Sequence, residues 1–322
     1  MIISIFEATE LEKKHFQEKL QGHILNFFEQ AIQSVDKQEY IDSNVISVFV
    51  HSKVTEKNIK NCKNLKMVCT RSTGIDHIDK EYLEHNNIVL KNVPLYGENT
   101  VAEHTFALML ALSRKINESY TNTINGLFST DGLMGFDLKD KTIGIIGGGR
   151  IGLHVARMAR SFGMHVRVYD INQDNFLAEI INFKYLNLDE LLKVSDIVSL
   201  HVPYNKDTHH MINTDSITKM KDGAILINTA RGGLVDTQSL ITALRNGKLY
   251  GAGLDVLEGE EFLSEESIID LPAENAAKII KQNKDLTNLS NVVITPHNAF
   301  NSIEAVIRII NKTVENIQTL EE

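Results

Sequence analysis

Three segments late in the chain carry side chains able to do acid–base chemistry on a small anion. They are INTARGGLVD with Arg231, GAGLDVLEGEE with Asp255 and Glu260, and ITPHNAF with His297. Each follows a short apolar run that reads as a parallel strand, and open α/β sheets bind ligands outside the carboxyl ends of their strands. The three side chains can therefore converge. A guanidinium forks onto a carboxylate through two hydrogen bonds, so Arg231 suits anchoring a 2-keto acid and polarising its ketone. An imidazole exchanges protons near neutral pH, so His297 suits protonating the developing alkoxide in reduction and removing the proton in oxidation. A carboxylate beside that ring orients it and stabilises its charged form. At about 4 Å and an effective dielectric near 20 the attraction is roughly 4 kcal/mol before desolvation. Glu260 suits that task. Asp255 suits either the carboxamide end of a cofactor or the local backbone. Taken singly, an arginine after a strand is a surface charge, Glu258, Glu260 and Glu261 are a solvated acidic loop, and a histidine after proline is a turn residue. Their succession behind a nucleotide signature makes them a set.

That signature is KTIGIIGGGRIGLHVARMARSFGMHVRVYD. An apolar strand, Thr142–Ile146, runs into Gly147-Gly148-Gly149-Arg150-Ile151-Gly152. A helix follows with Val155, Met158 and Ala159 on one side, and a second strand ends at Asp170. Gly147 permits the tight turn, Gly149 lets a pyrophosphate approach the backbone, and Gly152 lets the helix pack on the sheet. The helix N-terminus offers unpaired N–H groups to the phosphate, with Arg150 and Ile151 opening the helix beside it. His154 reads as a helix-surface residue. The Asp170 carboxylate suits the adenosine ribose hydroxyls and would repel a 2′-phosphate, so the cofactor is expected to be NAD. A glycine triplet alone is weak evidence; strand, helix, second strand and terminal acid in order supply the confirming context.

Short apolar runs alternating with helical patterns build the rest. In the first third the runs are Ile2–Phe6, Val45–Val50, Leu65–Thr70 and Ile88–Val93, with helices expected over Leu11–Leu20 and Thr55–Cys62. A second series runs through Thr142–Ile146, Val166–Tyr169, Ile197–Val202, Ala224–Asn228, Ala252–Val256 and Val292–Thr295. Continuous apolar strands separated by helices indicate parallel sheets buried on both faces. Asp236 is a candidate helix cap and Gly247 the matching C-terminal turn. The expected architecture is two doubly wound α/β domains: residues 1–99 plus 299–322, and residues 100–298. A hinge is expected near Asn99–Glu103, and the terminal helical pattern Ile303–Leu320 is expected to cross back to the first domain. From Thr105 to Leu112 the chain is apolar nearly all round, which places a helix in a core or, as favoured here, in a subunit interface. Glu261–Ser290 has no assigned role.

The formal net charge of -9 gives no electrostatic footprint for nucleic acid or an anionic membrane. No apolar run of about 18 residues reads as a transmembrane helix, and the N-terminus lacks the pattern of a signal peptide. Cys62 and Cys69 are too few for a disulfide framework and stand in no metal-ligand cluster, so no metal and a reduced, cytoplasmic setting are expected.

GGGRIG, SLHVP, NTARGGLVD, GAGLDV and TPHNAF resemble the D-isomer-specific 2-hydroxyacid dehydrogenase family across nearly the whole chain. The resemblance implies an NAD-dependent enzyme that interconverts a small D-2-hydroxy acid and its 2-keto acid, and commonly a homodimer. It implies a flavodoxin-like substrate domain and a Rossmann NAD-binding domain. It places the catalytic arginine, glutamate and histidine at Arg231, Glu260 and His297. It adds cofactor contacts at Val202, Pro203, Thr208, Thr229, Ala230, Arg231 and Asp255, beside Gly147, Gly149, Arg150, Ile151, Gly152 and Asp170. Substrate contacts are implied at Thr73 and Gly74 of TRSTGIDHID and at Tyr96, Arg231, His297 and Phe300. The long form of TPHNAF is most like the D-lactate dehydrogenase branch. Thr73, His77 and His51 depart from that branch, and the chain has no tryptophan. Alternatives on the same scaffold are a phosphoglycerate, glyoxylate/hydroxypyruvate or formate dehydrogenase, and a non-enzymatic NADH sensor. A phosphorylated substrate would need extra cations near the cleft, with Arg71 as one candidate.

Overall fold

A computed structural model of the chain describes residues 1–260 and 273–320. The chain forms two compact units, Met1–Gly97 with Asn301–Glu322, and Glu98–Phe300. The strands are β1 Ile2–Ile5, β2 Ile24–Phe27, β3 Val45–Val48, β4 Met67–Thr70, β5 Val89–Lys91, β6 Thr142–Ile146, β7 His165–Tyr169, β8 Lys184–Tyr185, β9 Ile197–Leu200, β10 Ala224–Asn228, β11 Leu249–Leu254 and β12 Val292–Ile294. The helices are α1 Glu10–Lys19, α2 Glu56–Ile59, α3 Lys80–His85, α4 Glu98–Ser113, α5 Ile116–Ile124, α6 Arg150–Ser161, α7 Asn175–Ile181, α8 Leu188–Val194, α9 Thr214–Lys219, α10 Thr237–Arg245, α11 Ala273–Thr287 and α12 Ile303–Gln318.

The first unit is a parallel sheet in the order β2-β1-β3-β4-β5, the flavodoxin-like order. Successive side chains along a strand face opposite sides, so each inner strand feeds two cores. Val45, Met67 and Cys69 pack with Phe16 of α1 and with Ile310, Val314 and Ile317 of α12. Ile46, Val48 and Val68 pack on the other face with Tyr40, Ile59 and Leu83. The C-terminal helix thus completes the core that the first strands begin. The expected Thr55–Cys62 helix is a single turn, α2.

The second unit is a parallel sheet in the order β12-β11-β10-β9-β6-β7-β8. From β6 the chain winds outward through β7 and β8, then returns to place β9 on the other side of β6. Such a reversal opens a crevice at the carboxyl ends, the place where doubly wound sheets bind dinucleotides. Ile143, Ile145, Val166 and Val168 bury against α4 and α6, and Ile146, Val198, Leu200 and Leu226 bury against α8, α9 and α10. The Asp236 side chain accepts from Ser239 N at the start of α10, and Gly247 turns left-handed after its end.

Helix α4 begins at the boundary between the two units. The helix runs unbroken from Glu98, through the stretch where a hinge was expected. One side of it is covered within the second unit, while Ala107 is exposed and Leu110 and Ala111 are partly exposed. Ala102, Phe106, Leu108, Met109 and Leu112 join the core over β6, β7, β9 and β10. That side makes the helix a layer of its own domain's core. Of the unassigned stretch Glu261–Ser290, α11 is helical and residues 261–272 lie outside the described residues. No described helix is long and apolar enough to cross a membrane.

Candidate active site

Strands β10, β11 and β12 are neighbours and parallel, so their carboxyl ends release three loops side by side. The first carries Arg231, the second Asp255 and Glu260, and the third His297.

The Arg231 turn is built by Asn228, the last residue of β10. Its amide donates to Arg231 O at 2.9 Å, and its carbonyl accepts from Ala230 N at 3.0 Å. Arg231 Nη1 donates to Ala230 O at 2.8 Å. Gly232 lies against the backbone of Leu257 and Glu258, where a β-carbon would overlap the Leu257 carbonyl. That close approach seats the arginine turn directly on the loop that carries Glu260.

Glu260 and His297 form the tightest polar contact of the set, Nδ1 to Oε1 at 2.6 Å, with side chains 23% and 17% exposed. The other Glu260 oxygen accepts from Leu257 N at 2.9 Å, so the carboxylate is fixed by its own loop. A carboxylate can only accept here, so Nδ1 carries hydrogen and the ring's orientation is set. His297 adopts a left-handed backbone, φ 51°. A non-glycine residue there costs about 1–2 kcal/mol and persists only where its surroundings hold it. The hold comes from Asp255: its carbonyl accepts from His297 N at 2.8 Å, and its carboxylate accepts from Asn298 N at 2.7 Å and Ala299 N at 2.8 Å. Burial by itself would raise this carboxyl group's pKa. Hydrogen bonds from His104, Thr295 and the Ala299 and Asn298 amides outweigh burial and hold it below the ordinary value. Of the two tasks open to Asp255, cofactor contact or backbone support, these bonds favour the second.

The nucleotide loop has the geometry a pyrophosphate needs. Gly147, at φ 104°, lies against the backbone of His201 and Val202, and Gly152 packs on the Gly147 carbonyl. A side chain at either would collide. Gly149 faces open space and caps α6 without any side-chain hydrogen bond. The uncapped helix N-terminus and the clearance at Gly149 fit the NAD phosphates. Asp170, at the end of β7, accepts from Gly148 N at 2.6 Å and from Asn172 N at 2.8 Å. It therefore also clamps the glycine loop, a second task that the sequence did not reveal. Arg150 and Ile151 open α6, with Arg150 largely exposed and 4.0 Å from Glu98. Val202 and Pro203 follow β9, where the Thr208 hydroxyl donates to Pro203 O at 2.8 Å and closes the loop. Thr229 is buried with its hydroxyl 3.0 Å from that of Thr105.

The expected substrate residues Thr73, Gly74 and Tyr96 belong to the first unit, and Phe300 to the second. The Thr73 loop is braced. Thr73 Oγ1 donates to Val93 O at 3.1 Å, Ser72 Oγ donates to Gly74 O at 2.7 Å, and His77 Nε2 lies 3.0 Å from Thr70 Oγ1. Tyr96 O accepts from Arg308 Nε at 2.7 Å. Arg71, considered above as a cation for a phosphate, is instead fully buried. Its guanidinium donates to Glu12 Oε1 at 2.9 Å, Phe6 O at 2.7 Å, Glu7 O at 3.1 Å and Ser47 Oγ at 3.2 Å. Those partners use it as an internal strut between β1, β3 and α1.

Three further polar residues were not singled out by sequence. His104 and Thr105 of α4 reach Thr295 and Thr229. His210 bonds Glu258 at 2.5 Å, beside the Glu260 loop. Partners so far apart along the chain leave no spacing signal.

Residues 106–299 match the model of the D-isomer specific 2-hydroxyacid dehydrogenase NAD binding domain. The chain is 32% identical to a 2-hydroxyacid dehydrogenase homolog of Haemophilus influenzae, over 99% of this chain and 96% of that protein. It is 39% identical to an aromatic 2-oxoacid reductase of Clostridium sporogenes, over 82% of this chain and 78% of that one. The structure superposes on that of a D-lactate dehydrogenase from Aquifex aeolicus complexed with NAD and lactic acid, with a TM-score of 0.88 and 38% identity, covering 99% of this chain and 95% of that one. With the glycine loop, Asp170 and the parallel topology, these likenesses place the chain in the D-isomer-specific 2-hydroxyacid dehydrogenase family, in its D-lactate dehydrogenase branch, as an NAD-dependent oxidoreductase.

Proposed function

We propose that the chain reduces a small, unphosphorylated 2-keto acid, pyruvate or a close analogue, to the D-2-hydroxy acid. The observation that carries this reading is the His297–Glu260 pair at 2.6 Å, on a loop against which the Arg231 turn is seated. Arg231 binds the substrate carboxylate through its forked donors and draws electron density from the ketone. Bound NADH supplies the hydride that reduces the keto carbon. His297 then gives a proton from Nε2 to the alkoxide oxygen, while Glu260 holds Nδ1 and balances the ring's charge. In the oxidative direction Nε2 takes that proton back. Gly147, Gly149, Arg150, Ile151, Gly152, Val202, Pro203, Thr208, Thr229 and Ala230 line the cofactor's path, and Asp170 receives the adenosine ribose. Thr73, Gly74 and Tyr96 serve as substrate contacts, which makes the first unit the substrate domain; Phe300 borders the keto acid's side chain.

The internal role of Arg71 speaks against a phosphorylated substrate. The intact acid–base pair speaks against both formate oxidation and a sensor without turnover. The lactic acid of the Aquifex complex supports a small substrate, and the aromatic 2-oxoacid named for the Clostridium relative marks the chief alternative. The test is loss of NADH absorbance with pyruvate, 2-ketobutyrate, phenylpyruvate, glyoxylate, hydroxypyruvate and phosphohydroxypyruvate. Pyruvate or 2-ketobutyrate should lead. Preference for phosphohydroxypyruvate, or no turnover of any, overturns the reading. His297→Gln should lower turnover by about 10²–10⁴-fold with NADH binding retained.

The homodimer implied by the family finds support in α5 and the segment after it. Ile116, Tyr120 and Ile124 form an exposed stripe at helical spacing, and Leu127, Phe128 and Met134 continue it, Phe128 being 94% exposed. Sedimentation of the purified protein tests this: a monomer at micromolar concentration would remove the assignment.

A further inference from the structure

The family reading explains what His297 does but not what holds it in an unfavourable backbone conformation. Asp255 supplies the immediate hold, and Asp255 is itself held from α4. Asp255 Oδ1 lies 2.5 Å from Thr295 Oγ1. Asp255 is buried and ionised, so the Thr295 hydroxyl must donate to it. The hydroxyl's one hydrogen is then spent, and its oxygen accepts from His104 Nε2 at 2.9 Å. Nε2 also lies 3.3 Å from Asp255 Oδ1. Nε2 therefore carries hydrogen, and a directed chain runs from His104 to Thr295 to Asp255. Asp255 in turn accepts from the Asn298 and Ala299 amides on its carboxylate and from the His297 amide on its backbone carbonyl. The next residue of the same helix makes a parallel tie. Thr105 Oγ1 donates to Val101 O at 2.9 Å and so accepts from Thr229 Oγ1 at 3.0 Å, in the loop that carries Arg231. Two consecutive side chains of α4 thus brace the arginine loop and the histidine loop.

We infer that His104 is a positioning residue for proton transfer: through Thr295 and Asp255 it fixes the His297 backbone, and so keeps the imidazole aligned with Glu260. The inference rests on His297 being the proton donor. It does not require His104 to touch substrate or cofactor.

The test compares His104→Phe, which keeps the ring and removes the donor, with His104→Gln, whose amide nitrogen replaces Nε2. Turnover is measured with NADH and pyruvate, or with phenylpyruvate if the panel above prefers it. His104→Phe should lose about tenfold or more in kcat, as a misplaced catalytic group does. Its KM and its NADH Kd, read by fluorescence, should stay within about twofold. Amide hydrogen exchange over residues 297–299 should quicken in the NADH-bound protein. His104→Gln should regain most of the lost kcat. Thr295→Val cuts the same chain at its middle, so its loss should match that of His104→Phe and the double variant should be no worse than either. The inference is overturned by normal kcat in His104→Phe, by His104→Gln as impaired as His104→Phe, by multiplying losses in the double variant, or by loss of NADH binding. If His104→Phe does not fold, Thr295→Val and His104→Gln decide by the same readouts. His297→Gln keeps the two levels apart. If it turns over like the parent, the proton-donor assignment fails; if it is inactive while His104→Phe is not, only the positioning role fails.

Discussion

Gly232 and Leu257 meet backbone to backbone, with no room for even a methyl group between them. The first belongs to the Arg231 turn and the second to the Glu260 loop, so this contact sets the spacing between the proposed carboxylate anchor and the proposed acid–base pair. Gly232→Ala should force the two loops apart. Overpacking of this kind costs about 1–3 kcal/mol of stability, and about tenfold or more in kcat/KM should accompany it. Steady-state kinetics with a thermal melt checks both; an alanine variant with parental kcat/KM would show that the loops accommodate the methyl.

Asp170 places a carboxylate at the end of β7, where both its oxygens already hold backbone amides. A 2′-phosphate brought beside it would meet a fixed negative charge. Asp170→Ala should narrow the preference for NADH over NADPH, by about tenfold if the repulsion is near 1.4 kcal/mol. The ratio of kcat/KM for the two cofactors reads this directly. Because Gly148 loses its clamp, NADH itself should also bind more weakly; an unchanged ratio would remove the assigned role.

Asp255 links pH to stability. Its folded pKa lies below the ordinary value, so its contribution is fully present above the unfolded carboxyl range, about 3.9, and is lost as pH falls through the folded value. Asp255→Asn should melt lower at pH 7, by roughly 4–10 °C if the charged hydrogen bonds are worth about 2–3 kcal/mol. The gap between parent and variant should close as pH falls below about 4. A gap that stays constant from pH 7 to 3 would show that the carboxylate's charge is not what stabilises the loop.

Cys62 and Cys69 are buried and unpaired, and burial pushes their thiols up to about 11 and about 12. The thiolate is the reactive form, so at pH 8 neither should alkylate. Iodoacetamide followed by mass spectrometry should find no label on the native protein and both thiols labelled after unfolding. Rapid labelling in the native state would contradict the burial.

Much of this architecture was legible in the sequence, and the failures have physical causes. Thr142–Ile146 and Ala224–Asn228 are continuous apolar runs ended by glycine or asparagine turns, and both coincide with strands in the structure. Strand β2 went unread because it is a half-exposed edge strand, too short for its apolar residues to repeat. Strand β11 begins at Leu249, earlier than Ala252, because Gly251, with little strand propensity, interrupts the run and is placed by pairing with β10. Arg231, Glu260 and His297 could be nominated as a proposed set because each follows a strand end, a relation visible along the chain. The bracing from His104 and the burial of Arg71 were not, because their partners Thr295 and Glu12 are distant in sequence and joined only by folding.

The C-terminal helix has a bearing on how the chain is made. Ile310, Val314 and Ile317 of α12 close the hydrophobic face begun by Ile3, Ile5 and Phe16. On the ribosome the first unit begins to emerge before the second, yet its α12 packing layer emerges only after the whole of the second. The second unit, continuous from Glu98 to Phe300, can therefore finish folding while the older segment still waits with an open apolar side. A premature stop after Phe300 would injure the beginning of the protein rather than the part next to the break, leaving an intact nucleotide-binding fold tethered to an unfinished one.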